Sequence, residues 1–362
     1  MSESLIPSVI TDHPIIVSAH ATSQGKNVFI WGTNGTYIAL SWRIDENLQM
    51  TVKDMYRWLD IIIAEDETGT LSPTSMEYAL FPVIVKPNVN WVLQYTIHRE
   101  ATSDALDHDS HERLRPGNYG IYKRGNGSRQ ESYTFFPKNT SFSGGHADVV
   151  SDFPDLPGLT PTIELQDTAF AHTEVCPFTG AEFSPRDRGK KIAVTWILPP
   201  YNRYLLFRSF EAYIQRSTLE IEVYEKPELM DPCMILSNCL VTTLEIIDLF
   251  WENKVAVDVD NGYKIVYFDQ RTPNTPKFQE RFSTVTYTDH DRDDFLRAHF
   301  DYSLLVNIIG GDARDDFLNS EPDRFADEMD LYGDPIDLNG DLPAEWATPI
   351  GQKVQEWLLA HQ

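Results

Sequence analysis

The sequence predicts an α+β fold with a β-rich N-terminal half (1–150), a second mixed region (151–310) and an acidic C-terminal extension (311–362) that ends in a helix. Three observations lead there. Short runs of β-branched and aromatic residues, punctuated by Gly, Pro and Asn, recur through the first half. Helical spacing of apolar residues is confined to a few isolated segments. The charge is uneven: the 362 residues carry a net −25, and residues 289–341 hold 16 Asp/Glu against 4 Arg.

Taken in order, 27–31, 37–42, 79–85 and 91–97 read as strands. Between them, Val52, Met55, Tyr56, Leu59 and Ile63 recur at helical spacing and predict a helix over 51–64. Residues 104–115 are polar and read as a loop, followed by a turn and strand over 114–122. The Ser-, Gly-, Pro- and Asp-rich stretch 138–165 suits a linker or a long surface crossing. Cys176-Pro-Phe-Thr-Gly180 is a tight turn, and the strand 192–198 stops at Pro199-Pro200. Helices are expected over 204–214 and, through Leu240, Leu244, Ile247 and Trp251, over 238–251. Asn261-Gly262 lies between two alternating runs within 255–268, a strong local signal for a β-hairpin. The acidic stretch 289–341 reads as a solvated loop or an extended wrap. Val354, Trp357 and Leu358 predict a closing helix over 349–362.

Composition excludes several classes of function. A net −25 repels phosphate backbones, whose nonspecific affinity comes from basic residues displacing counterions, so no nucleic-acid partner is expected. No apolar run reaches the about 18 residues of a membrane-spanning helix, and no secretory signal is read at the start, so no membrane is expected. Three cysteines without a CxxC pair fit a reducing, cytoplasmic compartment. The dinucleotide, P-loop, zinc-protease and nucleophile-elbow motifs are all missing, so no cofactor or metal is expected. His172 and His299, beside aromatic or apolar neighbours, read as hydrogen-bonded core histidines.

One constellation adds up in order and spacing. Cys176-Pro-Phe-Thr-Gly180, Val194-Thr-Trp-Ile-Leu-Pro199, Asn238-Cys-Leu, Leu249-Phe-Trp251 and the hairpin over 255–268 together resemble the fungal HNH-nuclease-like family. Leu114-Arg-Pro-Gly-Asn-Tyr and Leu296-Arg-Ala-His-Phe300 are similar to segments on either side. The resemblance implies a ββα-metal unit in 151–310, in which a strand-end His activates water, an Asn orients it and a helical His binds a divalent metal. Position by position, the first His falls on Trp196, the Asn on Asn238, the helical His on Ile247 and the following Asp on Trp251. Indole and aliphatic groups can neither take a proton from water nor bind a metal, so the resemblance implies a degenerate unit.

Three functions follow as expectations. In the first, the vacated site is a pocket for an apolar or cationic small molecule, lined by Trp196, Trp251, Cys176, His172 and His299. Asn238, Glu245 and Asp248 would supply its polar chemistry, for example in a cyclisation or isomerisation of specialised metabolism. In the second, the chain is an inactive scaffold for a protein partner, engaged through the acidic C-terminal segment. In the third, Glu245 or Asp248 takes over the metal position of a nuclease.

Overall fold

Alternating apolar residues build the first half. In the computed structural model, which describes residues 17–32, 38–46, 48–62, 78–88, 91–99, 103–123, 158–202, 232–283, 290–312, 344–347, 351–352 and 355–356, the chain divides into two compact units. One comprises Met1–Lys138 with Ile308–Gln362, the other Asn139–Asn307. Residues 309–312, at the start of the C-terminal stretch, are thus grouped with the N-terminal half.

The first unit holds a short helix α1 (Ala19–Ser23), an amphipathic helix α2 (Val52–Ile62) and a five-stranded sheet. Its strands are β1 (Val28–Trp31), β2 (Ile38–Trp42), β3 (Tyr78–Asn88), β4 (Trp91–Arg99) and β5 (Gly117–Lys123), in the order β2-β1-β5-β3-β4. Among the described strand pairs of this sheet only β1–β5 is parallel. All five expected strands and the helix form; in α2 the apolar residues fall on one face, and Val52, Met55, Tyr56, Leu59 and Ile62 are all buried. The Tyr56 hydroxyl accepts the Leu80 N–H at 2.8 Å and donates to the Leu106 carbonyl at 3.0 Å, tying α2 to the sheet. The chain returns to this unit at residues 309–312. Gly310 N–H donates to the Ala39 carbonyl, Ser41 Oγ donates to the Gly310 carbonyl, and Ile38 N–H donates to Asp312 Oδ2.

The second unit contains α3 (Ile163–His172), the antiparallel pair β6 (Ile192–Trp196) and β7 (Cys239–Thr243), α4 (Leu244–Trp251), the hairpin β8 (Val255–Asp258) and β9 (Lys264–Tyr267), and α5 (His290–Ile308). Four expectations need correction here. The stretch expected as a linker over 138–165 ends in the first turn of a helix, Ile163–His172, whose N-terminus is capped by the Thr162 hydroxyl. The helix expected over 238–251 is a 3-10 turn, then strand β7, then a helix of only eight residues. The hairpin turn is five residues long, and its two left-handed residues are Gly262 and Tyr263 rather than an Asn-Gly pair. The start of the acidic stretch is not a loop but α5, which buries Phe295, Leu296, Phe300, Leu304 and Leu305. Its acidic first turn complements the positive end of the helix dipole.

The helix expected over 204–214 and the remaining acidic residues 313–343, with the partner surface expected there, lie outside the described residues. Of the expected closing helix, residues 351–352 and 355–356 are helical. Among the described residues no helix is long and apolar enough to cross a membrane.

Candidate functional site

The order β6–β7–α4 is a strand–strand–helix unit, with Trp196 opposite Cys239 and Thr195 opposite Leu240. Successive side chains of a strand point to opposite faces, and that alternation decides where the two tryptophans go. Ile192, Val194 and Trp196 share one face with Cys239 and Val241, packed with Ala169 of α3. Thr195 is on the other face, where its Oγ1 accepts the indole N–H of Trp251 at 2.8 Å. Leu240 on that face joins Ile246, Phe250 and Cys176 in the main core, with Trp251 packed against it. Trp196, 1% exposed, donates its indole N–H to the Gly158 carbonyl at 2.8 Å. The tryptophans therefore line no common pocket; the expectation that they do is corrected by a single step of strand alternation.

Asn238 is fully buried, and its amide is occupied by backbone. Nδ2 donates to the carbonyls of Leu198 (2.7 Å) and Cys233 (2.8 Å), while Oδ1 accepts the Leu198 N–H at 2.9 Å. Both amide hydrogens are taken, so the side chain clamps the exit of β6 to the entry of β7 and has none left to orient a water. Ile247, one turn before Trp251, is buried, whereas Glu245 and Asp248 on the same helix are exposed. The three residues expected to carry the chemistry are thus a structural clamp and two surface carboxylates.

The remaining expected residues are also apart. Cys176 is buried in the main core, its Sγ 3.3 Å from Thr242 Oγ1. His172, expected as a core histidine, is instead exposed in the last turn of α3. His299 on α5 is buried, with Nε2 3.1 Å from the Phe250 carbonyl. Burial pushes its imidazole down to about 4, against the opposing pull of that carbonyl. The Cys239 thiol, beside Trp196, is pushed up to about 12 by burial, which the charge of Arg292 only partly offsets. It is no nucleophile at neutral pH. Among the described residues no group of three or more His, Cys, Asp or Glu is arranged to hold a metal ion.

A concave site does exist in this unit, at the start of α5. A cleft of about 600 Å³ is lined by Pro232, Ile235, Asp260, Asp291, Asp294, Phe295, Arg297 and Ala298. Arg297 bridges two of the carboxylates, with Nε 2.9 Å from Asp260 Oδ1 and Nη1 3.1 Å from Asp294 Oδ1. Close by, the Tyr263 hydroxyl donates to the Asp293 carboxylate, and burial and then this bond raise the phenol above its ordinary value. Asp260 and Asp294 thus pair with Arg297, and Asp291 lines the same cleft beside Ile235 and Phe295. Sequence reasoning missed these residues although a signal was present. Asp291, Asp294, Phe295 and Ala298 have the i, i+3, i+4, i+7 spacing of one helix face. The face mixes charge with apolar groups, so the stretch reads as acidic before it reads as periodic.

Compared with protein-family models, curated proteins and solved structures, the chain matches none.

Proposed function

We propose that this chain is a nuclease-like ββα scaffold without nuclease chemistry, and that it binds a cationic small molecule with an apolar stem. The observation that carries the reading is the cleft beside the ββα unit, in which Asp260, Asp291 and Asp294 meet Ile235 and Phe295. In such a site carboxylates attract a cation while apolar neighbours such as Ile235 and Phe295 contact its stem. The nuclease alternative has less support. The positions matched to the family's histidines hold Trp196 and Ile247, both buried, and the carboxylates nearest in sequence, Glu245 and Asp248, are exposed. Catalysis by Asn238 has no support either, since its amide hydrogens are bonded to backbone carbonyls.

Calorimetric titration of the full chain with tryptamine, an aryl group on an ammonium stem, tests the reading against its neutral amide N-acetyltryptamine. Tryptamine should bind one per chain at pH 7.5, the neutral amide should not, and the double substitution Asp291→Asn, Asp294→Asn should abolish binding. Equal binding of the two compounds, or tryptamine binding that survives the double substitution, would overturn it.

A further inference from the structure

The cleft at the start of α5 already holds a cation of its own. Its lining carries three carboxylates and one guanidinium, a formal excess of two negative charges. Arg297 reaches back one turn of α5 to Asp294, Nη1 to Oδ1 at 3.1 Å. It also reaches across to Asp260, in the turn between β8 and β9, Nε to Oδ1 at 2.9 Å. One guanidinium thus covers two of the three lining carboxylates. The third, Asp291, lies three residues before Asp294, where side chains of a helix are neighbours. The hairpin tip does not depend on Arg297 for its attachment. The Tyr263 hydroxyl ties it to Asp293 of α5 at 2.9 Å, and Arg281 Nη1 donates to the carbonyls of Asn261 and Gly262 at 3.0 and 2.6 Å. The side chains of Asp260 and Asp294 are 49% and 69% exposed, and ion pairs that open to water contribute little to stability.

We propose that Arg297 is the built-in competitor of the cleft: its guanidinium occupies Asp260 and Asp294, and a ligand cation must take these carboxylates over from it. The proposal rests on the binding reading above and deepens it. A ligand held by Asp291 alone would keep its charge about one helical turn from the guanidinium, where like charges repel. The carboxylates are therefore fully available to a cation only once Arg297 has turned away. Breaking two exposed pairs costs little, so the exchange is within reach of an ammonium whose apolar stem also gains contact with Ile235 and Phe295.

Calorimetric titration of the full chain with tryptamine at pH 7.5 tests this in the wild type, in Arg297→Gln and in Lys277→Gln. Lys277 is an exposed charge of the same unit outside the cleft lining, so its variant measures the general effect of losing one positive charge. Arg297→Gln should bind tryptamine roughly fivefold more tightly than the wild type, the gain from removing two exposed competing pairs. Lys277→Gln should stay within about twofold of the wild type, because solvent and salt screen a distant charge. The sign separates the two roles of an arginine: one that only holds the cleft in shape would weaken binding when removed. Equal or weaker binding in Arg297→Gln, or the same gain in Lys277→Gln, would overturn the competitor and leave the cleft reading standing. Tryptamine binding by none of the three proteins would overturn the cleft reading and the competitor with it. Should Arg297→Gln not fold, the Nε–H resonance of Arg297 in NMR spectra of the wild type decides. Tryptamine should move it to the position of a solvent-exposed arginine, and a resonance unmoved at saturation would sink the proposal.

Discussion

Trp196 and Trp251 each carry an indole N–H into the interior, and each gives it to an oxygen of its own. A ligand-facing tryptophan is only partly packed and costs little when truncated. Trp196 is instead sealed among Val194, Cys239, Val241 and Ala169. Trp196→Ala should therefore destabilise the protein by about 3–5 kcal/mol, the cost of removing a large aromatic side chain from a core. Urea unfolding monitored by far-UV circular dichroism would measure it, and a loss below about 1 kcal/mol would show that the site is looser than its packing implies. The sequence made both tryptophans conspicuous but could not separate them. Which face a strand residue takes depends on register, and the register of β6 is set by β7, more than forty residues away. For Asn238 the position was legible and the role was not. A buried amide reads the same whether it holds a water or a backbone, and only the neighbouring carbonyls of Leu198 and Cys233 distinguish the two.

Among the elements, legibility followed how local the determining interactions are. α2 and the strands of the first unit carry their pattern within a few residues and form within a few residues of the expected bounds. The segment 238–251 misleads because Leu240 belongs to a strand and Leu244, Ile247 and Trp251 to a helix, and apolar spacing alone runs the two together. α5 misleads in the opposite sense. Its charged first turns hide a C-terminal half that is buried on nearly every side, so no single face stands out. Alternation within β6 turns Trp196 away from α4 and towards α3. Trp196→His combined with Ile247→His should consequently gain no metal binding, since the first imidazole would project towards α3 and the second would sit on α4. A stoichiometric zinc titration of the double variant checks this, and tight binding would mean that the two positions converge after all.

In the whole molecule, the C-terminal return to the first unit was the least legible feature, because nothing in residues 309–312 announces a partner some 270 positions earlier. Its structural mark is Gly311. Its φ of +118° is a conformation that side chains rarely adopt, and a Cβ there would lie 2.1 Å from Ser41 Oγ and 2.7 Å from Ser41 Cβ. Gly311→Ala should cost at least about 2 kcal/mol through backbone strain and displacement of β2. The shift of the urea midpoint measures it, and an unchanged midpoint would mean that residues 309–312 contribute nothing to the stability of the first unit.

The same return has a consequence for the order in which the protein is made. Ile38 gives its N–H to Asp312, and Ala39 and Ser41 bond to Gly310, so the outer strand of the first sheet reaches its final bonding only after residue 312 has left the ribosome. The whole of Asn139–Asn307 is synthesised before that moment. The unit begun first is thus the unit completed last. During that interval the β2 edge has its bonds to β1 but not those to residues 310 and 312, and open strand edges are where nascent chains pair wrongly.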